Sequence, residues 1–143
     1  MPIALLTVAE GCIRLEMTAP MKNVLIVDDD RDESYRLADV LAASGHMTRV
    51  AANGVDGLRE VERDPPDVIV LDVETSASAG AEMAEALAGR RAGKRSIPIV
   101  LISASRHLEQ FAGLVGTPYY LRKPFGIWQA ITLVNEALAA RAR

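Results

Sequence analysis

From Lys22 onward, the chain alternates short runs of β-branched residues with longer runs rich in Ala, Leu and Glu. The short runs suited to strands are 23–28 (NVLIVD), 47–51 (MTRVA), 67–72 (DVIVLD), 97–103 (IPIVLIS) and 119–122 (YYLR). Two of them contain VIVL and IVLI, which are continuously apolar, as is typical of parallel strands covered on both faces. Five strands alternating with five helices predict a doubly wound α/β domain.

Apolar residues at helical spacing predict the helices between these strands. The segments are 32–44, 54–63, 80–91, 107–115 and 126–140. Tyr35 falls in the apolar pattern of the first helix, and Ile131, Val134 and Leu138 form a long apolar face in the last. We expect these faces to be buried, and we expect Trp128, at the start of the last helix, to pack in the core.

Composition limits the classes of protein to which the chain can belong. Its 143 residues are enough for one domain with its own core and too few for two ordinary ones. Half of the residues are hydrophobic, and a net charge of -3 gives no general reason to expect nucleic-acid or membrane binding. No apolar run approaches the ~20 residues of a bilayer span, and the single cysteine fits a reducing compartment. We therefore expect a soluble cytoplasmic domain.

The first 20 residues do not follow the alternation of strands and helices. Two strand-like runs, IALLTV and CIRLEM, surround a turn that contains Gly11, which predicts a β-hairpin. We therefore divide the chain into an amino-terminal extension, 1–21, and a domain, 22–141. The alternative is that translation begins at Met21 and the extension is dispensable, and the sequence leaves both open.

Aspartates stand at the carboxyl ends of two predicted strands. Asp28 and Asp29 end the first strand, and Asp72 ends the third. In doubly wound sheets, ligands bind beyond these strand ends. Clustered carboxylates repel one another, and a divalent cation that prefers oxygen ligands relieves the repulsion. The pattern predicts a Mg²⁺ or Mn²⁺ site, whereas Asp30 and Asp32 are better explained as caps of the first helix.

Two further strand ends have the groups that an anion needs. Ser103 offers a hydroxyl after the fourth strand, and Lys123 offers a positive charge after the fifth. Phosphoryl transfer depends mainly on positioning and charge neutralisation, which a cation on one side and an ammonium on the other provide. Asp72 is then the candidate nucleophile, because its strand is central.

Four motifs in this order, VLIVDDD, DVIVLD, IPIVLISAS and YLRKPF, resemble the receiver domain of two-component response regulators. The resemblance covers residues 22 to about 141. It implies a flavodoxin-like fold with a five-stranded parallel sheet in the order 2-1-3-4-5. It also implies that Asp72 is the phosphoacceptor and that Asp28 and Asp29 belong to the acidic metal pocket.

The resemblance assigns roles to further residues. Ser103 matches the switch residue that reaches the phosphoryl oxygens, and Tyr120 matches the aromatic that moves inward on activation. Lys123 matches the family's lysine, whose peptide bond to the following proline is usually cis in this family. The backbone carbonyl of Glu74 falls at the third metal ligand.

The segment after Asp72 departs from the family pattern. It reads DVETSASAG, so that Ser76 and Ala79 replace the usual proline and aspartate. Glu74 adds a carboxylate beside the path of an attacking water or an anionic donor. We therefore expect altered rates of self-phosphorylation and of loss of the aspartyl phosphate.

The resemblance implies a phosphoacceptor in two-component signal transduction rather than an enzyme with an external substrate. Asp72 would take the phosphoryl group from a sensor histidine kinase or a phosphotransfer protein, and Mg²⁺-dependent self-phosphorylation and self-dephosphorylation are expected. Because the chain ends soon after the last predicted helix, we expect output by protein–protein contact. The expected surface is formed by the fourth helix, the fifth strand and the fifth helix, and it would bind a downstream protein or a second copy.

Two alternatives remain open at the level of sequence. The first is a non-phosphorylated interaction module, which the altered loop after Asp72 favours. The second is a small Mg²⁺-dependent phosphatase with an aspartyl nucleophile, for which Glu74 is the only local candidate for the second, acid–base carboxylate.

Overall fold

The computed structural model describes residues 2–9, 12–73, 84, 86–87 and 96–142. Its first two strands, β1 (Pro2–Ala9) and β2 (Cys12–Pro20), pair antiparallel in a two-stranded sheet of their own. The predicted hairpin is therefore confirmed. The division of the chain at residue 21 into two functional parts stays a prediction.

The second sheet contains the other five strands, all parallel. They are β3 (Asn23–Val27), β4 (Met47–Ala51), β5 (Val68–Asp72), β6 (Ile99–Ser103) and β7 (Tyr120–Arg122). Their spatial order, β4-β3-β5-β6-β7, confirms the predicted order 2-1-3-4-5. The strand β5 is central, and the three-residue strand β7 forms one edge.

The described helices alternate with these strands. They are α1 (Arg31–Ala43), α2 (Gly54–Arg63), α3 (Leu108–Val115) and α4 (Ile127–Ala142). Each lies within two residues of a segment predicted from the apolar spacing. The remaining predicted helix, 80–91, falls largely outside the described residues. Within this segment the structure describes Ala84, Ala86 and Leu87, and all three are helical.

Alternate side chains of the parallel sheet enter two separate apolar clusters, one on each face. Val24 and Val70 pack with residues of α1 and α4, while Leu25 and Ile69 pack on the face that bears α2 and α3. These four side chains are at most 2% exposed. Burial on both faces accounts for the continuous apolar runs in the sequence, and it fixes the strand register that determines where the polar strand ends lie.

Two aromatic side chains that we expected in the core are exposed. Tyr35 is 51% exposed, because α1 buries the stripe that contains Leu37 and Leu41 instead. Trp128 is 76% exposed, since α4 packs against the sheet through side chains such as Ile131. The expectation for both residues was wrong, because an aromatic near an apolar stripe need not lie on it.

Candidate functional site

The ends of β3 and β5 place two aspartates side by side. Val27 and Leu71 are paired across the two strands, so that Asp28 and Asp72 follow them at the same edge of the sheet. Asp28 is 7% exposed, and the side chain of Asp72 is 5% exposed. The structure therefore brings together two of the three aspartates that the sequence predicts to converge, and the side chains of these two are nearly removed from water.

Burial raises the pKa of the Asp28 carboxyl above its usual value. The backbone N–H of Asp30 donates to Asp28 Oδ1 at 3.0 Å and lowers the pKa, as does the positive charge of Lys123. The negative charge of Glu33 raises it, while a hydrogen-bond interaction with Asp72 lowers it. Desolvation outweighs these contacts, so the charged form of Asp28 is destabilised unless a positive charge approaches it.

The sequence analysis missed a third carboxylate, which belongs to Glu33. Carboxylate oxygens of Asp28, Glu33 and Asp72 all lie within 4.8 Å of one another. Glu33 occupies the first turn of α1, and its backbone N–H donates to the capping side chain of Asp30 at 3.1 Å. The spacing from Asp30 to Glu33 is that of a capping box, and this signal could have located Glu33 at the strand-end pocket.

Lys123 lies in this group, as predicted. Its Nζ donates to Asp72 Oδ2 and, at 3.1 Å, to Glu33 Oε2. Its backbone N–H donates to the carbonyl of Ser103 at 2.9 Å, which attaches the segment after β7 to the end of β6. The peptide bond from Lys123 to Pro124 is cis, as the family pattern implies. One ammonium is thus shared by two carboxylates from different elements.

Ser103 and Tyr120, the predicted switch residues, differ in their surroundings. Ser103 is fully buried at the end of β6, and its Oγ accepts a hydrogen bond from the backbone N–H of Ser105 at 3.0 Å. Tyr120 is 39% exposed on the edge strand β7. The structure describes one arrangement of these two side chains, and their switch roles stay predictions.

Of the predicted metal ligands, Asp29 is not part of the carboxylate group that the described residues form. Asp29 is exposed, and the group of three is formed by Asp28, Glu33 and Asp72. Glu74, with the altered loop that contains Ser76 and Ala79, lies outside the described residues. The assignments of Asp29 and of the Glu74 carbonyl therefore stay predictions.

The chemistry of the donor set fits a divalent cation that prefers oxygen. Among the described residues, three carboxylates converge from the ends of β3 and β5 and the start of α1. The ammonium of Lys123 offsets one of their three formal negative charges, so that two remain among these four side chains. Mg²⁺ and Mn²⁺ favour carboxylate ligands of this kind.

A cavity of about 600 Å³ lies beside this group and shares Glu33 and Lys123 with it. Its apolar lining residues include Leu37, Phe125 and Ile127. The cavity wall therefore combines the ammonium of Lys123 with apolar side chains.

Comparisons with known proteins give the family. The family model described as the response regulator receiver domain matches residues 24–135. The transcriptional regulatory protein PrrA of Mycobacterium tuberculosis is 34% identical over 127 residues, which are 87% of this chain and 52% of PrrA. The response regulator MprA of Mycobacterium leprae is 34% identical over 117 residues, which are 80% of this chain and 50% of MprA. The chain spans about half the length of these curated relatives.

Solved structures show the same fold. The chemotaxis protein CheY4 of Vibrio cholerae superposes with a TM-score of 0.71 at 25% identity and covers 82% of this chain and 98% of its own. A CheY-like receiver domain protein of Methanospirillum hungatei superposes with a TM-score of 0.73 at 23% identity, over 85% of this chain and 97% of its own. None of the described helices is long and apolar enough to cross a bilayer. The chain belongs to the receiver domain family of two-component response regulators.

Proposed function

We propose that this receiver domain accepts a phosphoryl group on Asp72 from a sensor histidine kinase or a phosphotransfer protein. The observation that supports the proposal is the setting of Asp72. Its carboxylate is buried at the end of the central strand, contacts the ammonium of Lys123, and lies beside the carboxylates of Asp28 and Glu33. We further propose that residues 22–141 are the signalling unit and that 1–21 are an appendage to it.

In the proposed reaction, a carboxylate oxygen of Asp72 attacks the phosphorus of a phosphohistidine. The new O–P bond forms as the bond from phosphorus to the imidazole nitrogen breaks, and the electron pair of that bond stays on the imidazole. Negative charge is spread over the phosphoryl oxygens in the loose transition state. The Lys123 ammonium, already beside Asp72, stabilises this charge without a large rearrangement.

We propose that Mg²⁺ or Mn²⁺ is held by Asp28, Asp29, Asp72 and the backbone carbonyl of Glu74. When bound, the cation supplies charge neutralisation for the phosphoryl oxygens. A nearby positive charge also favours the ionised form of Asp28, whose pKa is raised by burial.

Ser103 and Tyr120 are the residues that we propose to report phosphorylation. The Ser103 hydroxyl already accepts the N–H of Ser105, and its hydrogen can be donated to a phosphoryl oxygen. Tyr120 would then turn inward from its exposed position on β7. These movements alter the output face, which we define as the outer surface of α3, β7 and α4.

The output face is the proposed contact for a downstream protein or a second copy. It presents Leu114, Tyr120 and Trp128, which are 65%, 39% and 76% exposed. PrrA is called a transcriptional regulatory protein, but the residues described here match only part of it. We propose a cytoplasmic location and no direct contact of residues 22–141 with nucleic acid or membrane.

The proposal is tested by intact mass after incubation with acetyl phosphate and Mg²⁺. We expect the parent protein to gain one phosphoryl group, and Asp72→Asn to gain none. Asp39→Asn is the matched control, because it removes an exposed carboxylate on α1 that is away from the site, and it should behave as the parent.

Three outcomes separate the proposal from its alternatives. No adduct in the parent, either with acetyl phosphate or with a cognate kinase, would favour the non-phosphorylated interaction module. Turnover of a phosphate ester in excess of protein would favour the aspartyl phosphatase. An adduct that persists in Asp72→Asn would place the phosphoacceptor elsewhere.

A further inference from the structure

The carboxylate of Glu33 has no assigned role in the proposed reaction, yet it lies inside the site. It accepts from Lys123 Nζ at 3.1 Å while the same ammonium contacts Asp72. One of its carboxylate oxygens also lies within 4.8 Å of one oxygen of Asp28 and one of Asp72. Glu33 is therefore placed to interact with the ammonium beside Asp72 and with a cation bound at Asp28 and Asp72.

We propose that Glu33 is a positioning residue that strengthens divalent-cation binding at Asp28 and Asp72. It does so by holding the Lys123 ammonium when Asp72 turns an oxygen to the cation, and by adding its own negative charge. This inference rests on the proposed function, since it concerns the cation of that site.

Competition between two positive charges is the basis of the proposal. An ammonium that contacts Asp72 opposes the approach of a cation to the same carboxylate, because like charges repel. With Glu33 present, the ammonium keeps a negatively charged partner as it moves away from Asp72. Without Glu33, the loss of that partner and the loss of one negative charge both weaken cation binding.

Burial decides how far these effects are screened. The side chains of Asp72, Lys123 and Glu33 are 5%, 19% and 33% exposed. Charges at the inner end of this group are poorly solvated, so that one carboxylate within 4.8 Å has a larger effect than it would on an open surface.

A purely structural role is the competing explanation, since an acidic residue in the first turn of a helix stabilises that helix. Asp32 allows the two explanations to be separated. It is an acidic residue in the same first turn of α1, it is exposed, and it is not a member of the carboxylate group. Asp32→Asn therefore matches Glu33→Gln in charge and in helix position.

The test is calorimetric titration of the metal-free, unphosphorylated protein with Mg²⁺ and, separately, with Mn²⁺. We expect Glu33→Gln to bind each ion about tenfold more weakly than the parent, which corresponds to about 1.4 kcal/mol. Asp32→Asn should stay within about twofold of the parent. Glu33→Asp keeps the charge with a shorter reach, and it should restore part of the affinity. Circular dichroism verifies that each variant is folded. If Glu33→Gln does not fold, the ion affinity of Glu33→Asp relative to the parent decides the question.

Equal affinities for the parent, Glu33→Gln and Asp32→Asn would overturn the inference, as would tighter binding by Glu33→Gln. A parent protein that binds neither ion would overturn it as well. The proposed function is read separately, from the phosphoryl adduct on Asp72 at saturating Mg²⁺. An adduct that forms equally in the parent and in Glu33→Gln, together with equal affinities, would leave the function standing and remove the role of Glu33.

Discussion

The strand-end site and the output face differ in the type and the burial of their side chains. At the site, charged side chains such as Asp72 and Lys123 are buried and contact one another across the fold. On the output face, the large apolar side chain of Trp128 is 76% exposed. Buried charges require partners within the chain, whereas an exposed aromatic is stabilised by contact with another surface. The comparison supports the proposed chemistry of the first region and the proposed recognition role of the second.

Loss of the Lys123 ammonium should have the largest effect on the rate of adduct formation. If it does not, the contrast between the two regions fails. We expect Lys123→Met to lower the initial rate of adduct formation with acetyl phosphate about 10²- to 10³-fold, because an electrostatic partner of the transition state is lost. Lys22→Met is the matched control, since it removes an ammonium before the start of β3, at the other end of the strand. Equal rates for the two variants would contradict the assigned role of Lys123.

Neutralising Asp28 should have a smaller effect, whose sign depends on pH and on the cation. Because the folded-state pKa of Asp28 is raised, its contribution to stability is complete below about pH 3.8 and is lost as pH rises through the folded value. We therefore expect metal-free Asp28→Asn to be more stable than the parent at neutral pH, with the difference vanishing in acid. Urea unfolding of both proteins from pH 3 to pH 8, in steps of about half a pH unit, measures this difference in stability.

Added Mg²⁺ should reverse that order and sharpen the comparison. The parent gains binding energy from the cation, whereas Asp28→Asn gains less because one carboxylate is missing. A stability difference that is the same with Mg²⁺ as with a chelator would show that Asp28 has no part in the cation site.

Trp128 should give the smallest effect on the domain itself. Trp128→Ala is expected to change the free energy of unfolding by less than about 0.5 kcal/mol, because the side chain is mostly in water. Adduct formation should be unchanged, while binding to a second copy or a downstream protein should weaken. Thermal unfolding measures the stability, intact mass measures adduct formation, and sedimentation of the phosphorylated protein measures association. A large loss of stability would show that the ring packs on its own domain.

The fold and part of the site could be predicted because they follow from the sheet. Continuous apolar runs determine which strands are parallel and covered, and parallel neighbours end at the same edge. Together with the strand order that the family resemblance implies, that rule brings Asp28 and Asp72 together at the edge of the sheet where Lys123 also lies.

Other features depend on helix orientation, which the strand pattern does not determine. Glu33 points to the site because the cap at Asp30 fixes the first turn of α1, and apolar spacing contains no such information. Trp128 is exposed because α4 packs through a neighbouring stripe that includes Ile131. Short-range capping geometry and the rotation of a helix on the sheet thus decide what the periodicity leaves undetermined.

The shortness of β7 has a mechanical consequence. This strand has three residues, and among the described strands it pairs with β6 alone. Just beyond it, the N–H of Lys123 donates to the carbonyl of Ser103. Displacing such a segment breaks fewer ladder hydrogen bonds than displacing β5, which pairs on both sides. We therefore expect movement at the edge of the sheet that bears Tyr120 to cost less than movement at its centre.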